Sequence, residues 1–361
     1  MNRWPLAFPN QRGLTLIELM IGMALGLVVV VGIGYIYMGS RQSYRVQDNM
    51  ARIQENGRFA MDILGREIRM AGFQGCSTAK FTSTINAQAT AQNNYLWDFS
   101  RNAVEGFNAT GAGTWSTVTS GNPATTVGVS NIDTTVVSGT DVIALRSTDD
   151  LGIHIVGQPT DNNCGDTTAD LKVTTNTLLS DGLIVMATNC TNATVFQITN
   201  FNSGQNVVHN TGTSSPGNAT KDLGACFVDG DIVAVSAKSY FIKNNPASIP
   251  SLYRKVSLTA TSSSEELVEG VQDMQIKYGI DTNGDGAVDE YVDAGAANKL
   301  DTAARWATVL SVRVSLLLVS RDDNVVDAPQ KYVFNGSTVT PTDRKLRFVF
   351  TGTIGVRNRL L

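Results

Sequence analysis

Alternating oxygen-bearing side chains mark one loop of this 361-residue chain as a candidate cation site. In residues 281–289 they occupy the first, third, fifth and ninth positions, with glycine at the sixth: Asp281, Asn283, Asp285 and Asp289. An EF-hand loop begins in this way, directing alternate oxygens at Ca²⁺ and adding a carbonyl from the seventh position, here Ala287. Position 12 is Val292, where an EF-hand has a bidentate glutamate. The pattern therefore predicts either a weak Ca²⁺ site or a metal-free hairpin turn rich in Asx and glycine.

Chemistry beyond this loop is not expected. His154 and His209 lie in different polar stretches, and neither accompanies a nucleophile motif. The sequence has no glycine-rich phosphate loop between a strand and a helix, so we expect neither an enzyme nor a further cofactor. The formal net charge of −4 argues against nucleic acid as a partner, which would favour a basic surface.

Glu18 is a lone carboxylate at the start of an apolar segment. No charged residue follows it from Leu19 to Met38, which is about the ~20 residues that a membrane-spanning helix requires. A carboxylate in hydrocarbon is costly unless it is paired, so such a residue is usually functional. The alternative is an ordinary membrane anchor whose glutamate reaches the cytoplasmic surface.

Residues 13–19, Gly-Leu-Thr-Leu-Ile-Glu-Leu, resemble the class III signal of type IV prepilins and pseudopilins. The resemblance implies that a prepilin peptidase cleaves between Gly13 and Leu14, that Leu14 is N-methylated, and that Glu18 serves filament assembly. Leu14 departs from the phenylalanine that this family usually has at the first mature position. We expect Glu18 to pair with the Leu14 amino group of a neighbouring subunit, because opposite charges attract strongly in a low dielectric.

The sequence divides into four parts. They are a leader (1–13), a transmembrane or filament-core helix (14–38), an amphipathic periplasmic helix (39–72), and a β-rich globular head (73–361) with a loop-rich insertion at about 77–139. Basic residues in the leader predict a cytoplasmic amino terminus, and hence an inner-membrane protein with a single span and a periplasmic head. Removal of that leader changes the formal charge from −4 to −6, because it carries Arg3 and Arg12 and no acid.

Periodicity predicts the elements that position these residues. Apolar or small residues recur at three- and four-residue intervals and define one helix face: Val46, Met50, Ile53, Gly57, Ala60 and Leu64. The helix should end at Ala71–Gly72, because glycine is the usual left-handed cap. Alternating apolar residues then predict strands at 141–146, 182–187, 193–199, 231–242, 272–278, 310–318 and 346–356. The expected fold is α+β and pilin-like, with a long amino-terminal helix on a large, mainly antiparallel sheet.

The four cysteines, Cys76, Cys164, Cys190 and Cys226, form no CxxC pair. Their even number and the expected periplasmic location favour two disulfides over free thiols. Zinc binding is not expected, because the two histidines are not spaced to these residues as metal ligands. Four cysteines allow three pairings, which the sequence leaves open. We favour Cys76–Cys190 with Cys164–Cys226; the first bond would tie the end of the long helix to the head.

Three further segments are similar to PilW-type minor pilins of type IV pili: 69–76, 267–278 and 350–359. The likeness does not extend to residues 77–139. It implies a minor pilin that assembles with other minor pilins and the major pilin to prime or cap the filament, in pilus biogenesis, twitching motility and adhesion. Two alternatives stay open: a J-type minor pseudopilin of type II secretion, and a pilus-tip adhesin that contacts surfaces through residues 77–139.

Overall fold

The structure, a computed structural model, describes residues 15–73, 80–86, 95, 98–99, 101–120, 125–158, 169–211, 216–256, 264–296 and 299–359. The helix α1 (Leu16–Met70) begins this part of the chain, and a short helix, α2 (Ala303–Trp306), precedes one of the last strands. Two 3-10 turns span Val129–Asn131 and Arg357–Arg359.

The α1 helix has 55 residues and ends where its sequence predicts. Gly72, two residues past its last turn, has a φ of +79°, a left-handed conformation that glycine adopts without steric cost. The predicted apolar face packs on the head along its second half. Val46 and Met50 are partly buried there, and the rest of that face is buried: Ile53, Gly57, Ala60 and Leu64.

Strands make up most of the head. Within the described residues they are, in chain order, β1 (Lys80–Ser83), β2 (Val104–Phe107), β3 (Ala109–Gly111), β4 (Thr114–Trp115), β5 (Val118–Ser120), β6 (Thr125–Val127), β7 (Val142–Gly157), β8 (Asp170–Val173), β9 (Ile184–Thr188), β10 (Asn192–Gln197), β11 (Asn200–Asn202), β12 (Asn206–Val208), β13 (Asp231–Asn244), β14 (Pro250–Val256), β15 (Ser264–Glu269), β16 (Val271–Ile280), β17 (Glu290–Val292), β18 (Val309–Val319), β19 (Tyr332–Phe334), β20 (Ser337–Val339) and β21 (Arg347–Gly355). The predicted strands all correspond to strands in this set, and the loop-rich stretch 77–139 contains β1 to β6.

Two large sheets form most of the described part of the head, and three two-stranded sheets, β3-β4, β5-β6 and β19-β20, accompany them. The larger has eleven strands in the order β1-β10-β9-β13-β7-β8-β12-β11, with β14 and β15 added beside β13 and β2 beside β7. Its pairs are antiparallel except β1 with β10. The smaller sheet has the order β17-β16-β18-β21 and is antiparallel throughout. The predicted α+β fold, a long helix on a mainly antiparallel sheet, is therefore confirmed.

Side chains of α1 and of both sheets share one hydrophobic core. Ile53, Leu64 and Ile68 enter it from the helix, while Met274, Ile276 and Tyr278 enter it from β16, as their alternation predicts. A second, smaller core lies between β8, β9, β10 and β12. The first core therefore holds α1 against the head, and the second core forms the interior of an outlying lobe.

Candidate functional site

Glu18 forms a capping box with Thr15 at the start of α1. Its Oε2 atom accepts hydrogen bonds from the Thr15 amide and the Thr15 hydroxyl, each at 2.9 Å. In return, the Glu18 amide donates to Thr15 Oγ1 at 3.3 Å. These bonds satisfy N–H groups that a helix start otherwise leaves free, and the helix dipole favours a carboxylate here. Within one chain, Glu18 therefore has a local partner as well as the intermolecular one predicted for it.

The first part of α1 projects away from the head. Its large apolar side chains from Leu16 to Met38 are all exposed. Among the described helices, α1 is the one that is long and apolar enough to cross a membrane. Tyr35 and Tyr37 lie near the end of this segment. Tyrosine is enriched where a helix leaves the hydrocarbon, so their position agrees with the end of the apolar segment on the side of the head.

The second part of α1 lies in close contact with β21, because glycines remove side chains at the crossing. A Cβ added to Gly57 would overlap the Phe350 ring, and one added to Gly352 would meet Met61 Cε at 2.5 Å. One turn further on, a Cβ at Gly65 would reach Ile354 Cγ1 at 4.0 Å. As helix residue numbers rise, so do the strand residues that they contact. The helix and β21 therefore run side by side in the same direction.

Polar contacts fix the helix along its other flank. The Asn56 amide donates to the carbonyl oxygen of Glu269 at 3.0 Å, and Lys238 Nζ lies 2.8 Å from Glu67 Oε2. Nearer the membrane segment, the Gln42 amide donates to the carbonyl of Val325 at 2.7 Å. These bonds set the rotation of α1 about its own axis as well as its position.

The end of α1 is attached to two distant parts of the chain. The Gly72 amide donates to the Arg146 carbonyl in β7 at 2.8 Å. The Asn358 side chain, near the carboxyl terminus, donates to the Ala71 carbonyl at 3.1 Å. The last helical turn is therefore held by both sheets, since β7 belongs to the larger one and Asn358 follows β21.

A buried group of charges lies beside this attachment. The Arg146 guanidinium donates to the carbonyls of Asn102 and Tyr95, both at 2.8 Å, and lies 3.3 Å from Glu105 Oε2. Arg101 lies 3.7 Å from the same carboxylate oxygen, and both arginines contact the Tyr95 ring. Removing one member of a buried charge network strands the others at a large cost. This cluster therefore fixes Tyr95 and residues 101–107 against β7.

The acidic loop connects β16 and β17, and its first carboxylate holds the turn. Asp281 accepts hydrogen bonds from the Gly284 amide at 2.6 Å and the Gly286 amide at 2.9 Å, and these bonds, the one from Gly286 foremost, lower the pKa of its carboxyl. Both glycines have a φ of +81°. The predicted hairpin with its sharp glycine turns is present, and the aspartate remains ionised.

The centre of this loop is occupied by an amide donor. The Asn283 Nδ2 atom lies 3.1 Å from Asp285 Oδ2 and 3.4 Å from Asp289 Oδ1. The Ala287 amide donates to Asp285 Oδ1 at 2.8 Å. Ca²⁺ requires oxygens at these positions, so binding would require the Asn283 amide to turn.

Later carboxylates are already engaged elsewhere. Glu290 pairs with Lys299, and Asp293 lies 2.7 Å from Lys277. Val292, at the twelfth position, is buried and pairs with Tyr278 in the sheet. Among the described residues, no group of three or more histidine, cysteine or acidic side chains is placed to hold a metal. The donor set fits Ca²⁺ only through the first nine loop positions, and Ca²⁺ binding stays a prediction.

The predicted processing site, Gly13 and Leu14, lies outside the described residues, as do Cys76 and Cys164. Cys190 and Cys226 are both disulfide-bonded. The Asn189 side chain donates to the Cys226 carbonyl at 2.7 Å, which places the β9–β10 turn beside that cysteine. The pairing of Cys76 with Cys190 and of Cys164 with Cys226 stays a prediction.

Two features of this site were not predicted from the sequence. Thr15 caps the helix, and its signal was present as Thr-x-x-Glu before an apolar run. The buried cluster of Arg101, Glu105 and Arg146 had no such signal, because Arg146 is distant in sequence from the other two and becomes their neighbour only when β2 pairs with β7.

Two family models match this chain. Residues 8–34 match the prokaryotic N-terminal methylation motif, which covers the predicted cleavage site and Glu18. Residues 239–358 match the type IV pilus-assembly protein W model, which covers the strands that seat α1. No curated protein and no solved structure matches the chain.

The signal, the helix and the sheet that carries it together define a type IV pilin. Within that class, the match over 239–358 identifies the chain as a member of the PilW type. The prediction of a PilW-type pilin from residues 13–19 and the three further segments is confirmed.

Proposed function

We propose that this chain is a minor pilin that assembles with other minor pilins to prime or cap the type IV pilus. The observation that supports this most is the division of α1. The large apolar side chains of its first half are exposed in the described structure, whereas its second half packs tightly on the head. Such a helix suits a subunit that moves from lipid into an apolar filament core, because both environments accept an apolar surface.

Processing precedes assembly in this proposal. The prepilin peptidase cuts between Gly13 and Leu14, and Leu14 is then N-methylated. Thr15 becomes the second residue of the mature chain, so Glu18 lies one helical turn from the new amino group. In the filament, Glu18 pairs with the amino group of a neighbouring pilin, since a carboxylate in an apolar bundle needs a positive partner. The partners are the other minor pilins and the major pilin.

Before assembly the protein occupies the inner membrane, with its amino terminus in the cytoplasm and its head in the periplasm. Arg3 and Arg12 favour this orientation, because basic residues stay on the cytoplasmic side. The match to a pilus-assembly model supports a role in pili over a role in type II secretion.

A deletion strain tests the proposal when surface pili and exported proteins are scored together. We expect pili to be lost while export is unchanged, and re-expression of the wild-type chain should restore them. Re-expression of the Gly13→Asp variant should not, because the uncut leader keeps the subunit in the membrane. Normal piliation with defective export would instead identify a secretion pseudopilin.

A further inference from the structure

The last strand of the smaller sheet has an open edge. Among the described strands β21 pairs with β18 alone, through its even-numbered residues, as the hydrogen bond from the Val356 amide to the Leu310 carbonyl at 2.8 Å indicates. Its odd-numbered residues direct their N–H and carbonyl groups away from the sheet. Gln330 bonds both of these groups in Arg347, accepting from the amide and donating to the carbonyl. Within the described residues, no hydrogen bond reaches the backbone of the next four odd positions: Val349, Thr351, Thr353 and Gly355.

Among the described residues, the other edge strands of the two large sheets, β1, β2, β11, β15 and β17, are short or charged, whereas β21 is long. β11 and β17 have three residues each, and β15 carries three glutamates in six residues. Short edges and charged edges both discourage pairing with another chain. β21 has nine residues in regular register and contains no proline, lysine or bulge. A strand of this length with free backbone groups is a template for an added strand.

The helix makes this edge part of the assembly surface. β21 runs beside α1, so a strand added to its edge lies against the exposed flank of the helix that bears Gln54 and Arg58. Phe348 is 40% exposed on the same face of β21 as Phe350, which packs on the helix. An added strand would cover the exposed part of that ring.

We propose that the edge of β21 from Val349 to Gly355 pairs with an extended strand from the head of a different pilus subunit. The proposal rests on the function proposed above, since it names how this subunit contacts its partner. The free N–H and carbonyl groups define the chemistry of the ligand, which is an extended backbone with its own unpaired edge.

A second copy of this chain fits the edge poorly. Antiparallel pairing of two β21 strands needs a two-fold axis normal to the sheet, which would point the two α1 helices in opposite directions. Parallel pairing needs an axis along the strands, which would place the helices on opposite faces of the joined sheet. Neither arrangement lets both helices enter one bundle, so the partner must be a different subunit.

Site-specific cross-linking in piliated cells tests the proposal on the full chain. A photoreactive residue replaces Thr353 on β21, and in the control it replaces Thr338, which is equally exposed on β20. We expect Thr353 to yield an adduct with another pilus subunit, identified by mass spectrometry, and Thr338 to yield none. An adduct with a second copy of this chain, or no adduct from Thr353, would overturn the proposal.

Thr351→Pro removes one outward N–H group, and Thr351→Ala keeps it. In the Thr353 probe background, we expect the adduct to fall on the order of tenfold in the proline variant and to stay unchanged in the alanine variant. Equal membrane levels and leader cleavage show that both chains fold. If the deletion strain keeps its pili, the proposed function is wrong; if it loses them while Thr353 gives no adduct, only the strand pairing is wrong.

Discussion

The two halves of α1 contain the same residue type in opposite situations. In the first half, an added Cβ at Gly22 or Gly26 would have no described atom within 4 Å apart from the adjacent residues and backbone of its own helix. In the second half, an added Cβ at Gly57 overlaps a phenylalanine ring of the head. In the proposed function the first glycines face lipid or other subunits, whereas Gly57 is constrained by its own chain. One helix thus combines an intermolecular surface with an intramolecular one.

The largest effect should come from filling the contact at Gly57. Gly57→Leu forces apart α1 and β21 at Phe350, and we expect it to destabilise the head on the order of 3 kcal/mol. Thermal unfolding of the detergent-solubilised full chain, followed by near-ultraviolet circular dichroism, measures the change. Gly22→Leu is the matched control and should leave the transition unchanged. Equal stability of the two variants would mean that the head does not constrain Gly57 more than Gly22.

His209 gives the next largest effect, in a part of the head remote from α1. Burial lowers the pKa of its imidazole to about 4, from an ordinary value of 6.5. The unfolded chain therefore takes up a proton below pH 6.5 while the folded chain does not, and stability is lost as the pH falls from 6.5 towards 4. Over this range we expect protonation of His209 to cost the wild type about 2–3 kcal/mol in its free energy of unfolding. The His209→Leu variant should not show this contribution.

The measurement compares wild type with His209→Leu, because buried carboxyls such as Asp141 and Asp273 titrate in the background, with pKa values of about 7 and 6. His154→Gln is the control, since that histidine is exposed, and it should keep the wild-type loss. The same slope in both variants would exclude His209 as the source.

Glu18 tests the intermolecular half directly. If its charge pairs with a neighbour's amino group, Glu18→Ala and Glu18→Gln should both reduce incorporation into pili, on the order of tenfold, or about 1.4 kcal/mol. Immunoblots of sheared pili against membranes measure incorporation. Glutamine can still accept the Thr15 bonds, so recovery in Glu18→Gln would mean that helix capping, not charge, is the function of this residue.

Ca²⁺ binding to the acidic loop should give an effect no larger than that of Glu18. Even a millimolar site at tenfold excess stabilises the fold by about 1.4 kcal/mol. Calorimetry and melts of the full chain with and without Ca²⁺ measure heat and shift. Asp281→Asn with Asp285→Asn should abolish both, and a shift that persists in this variant would assign the loop to a turn alone.

The spacing of apolar residues predicted those features that depend on residues close together in sequence. Alternation in 272–278 predicted the buried face of β16, and the three- and four-residue spacing from Val46 to Leu64 predicted the seated face of α1. The signal at Gly13–Glu18 predicted the family, which the matches confirm.

Pairing across the chain could not be predicted in this way. Gly57 and Phe350 lie far apart in sequence, and nothing near either residue indicates the other. Likewise, the open edge of β21 depends on the order of strands in the sheet. Phe348 belongs to the same alternating pattern as buried residues, although it is itself exposed.

The side-by-side course of α1 and β21 has a mechanical consequence. In the proposed filament, a pull along the axis would enter this subunit through α1, which lies lengthwise on β21. The load therefore acts in shear, so the contacts at Gly57, Met61 and Gly65 must fail together instead of one after another. The carboxyl end of α1 is hydrogen-bonded to β7 at Arg146 and to the carboxyl-terminal turn at Asn358. These bonds divide the force between both sheets. Resistance to forced unfolding is set by this geometry and not by the equilibrium stability of the head.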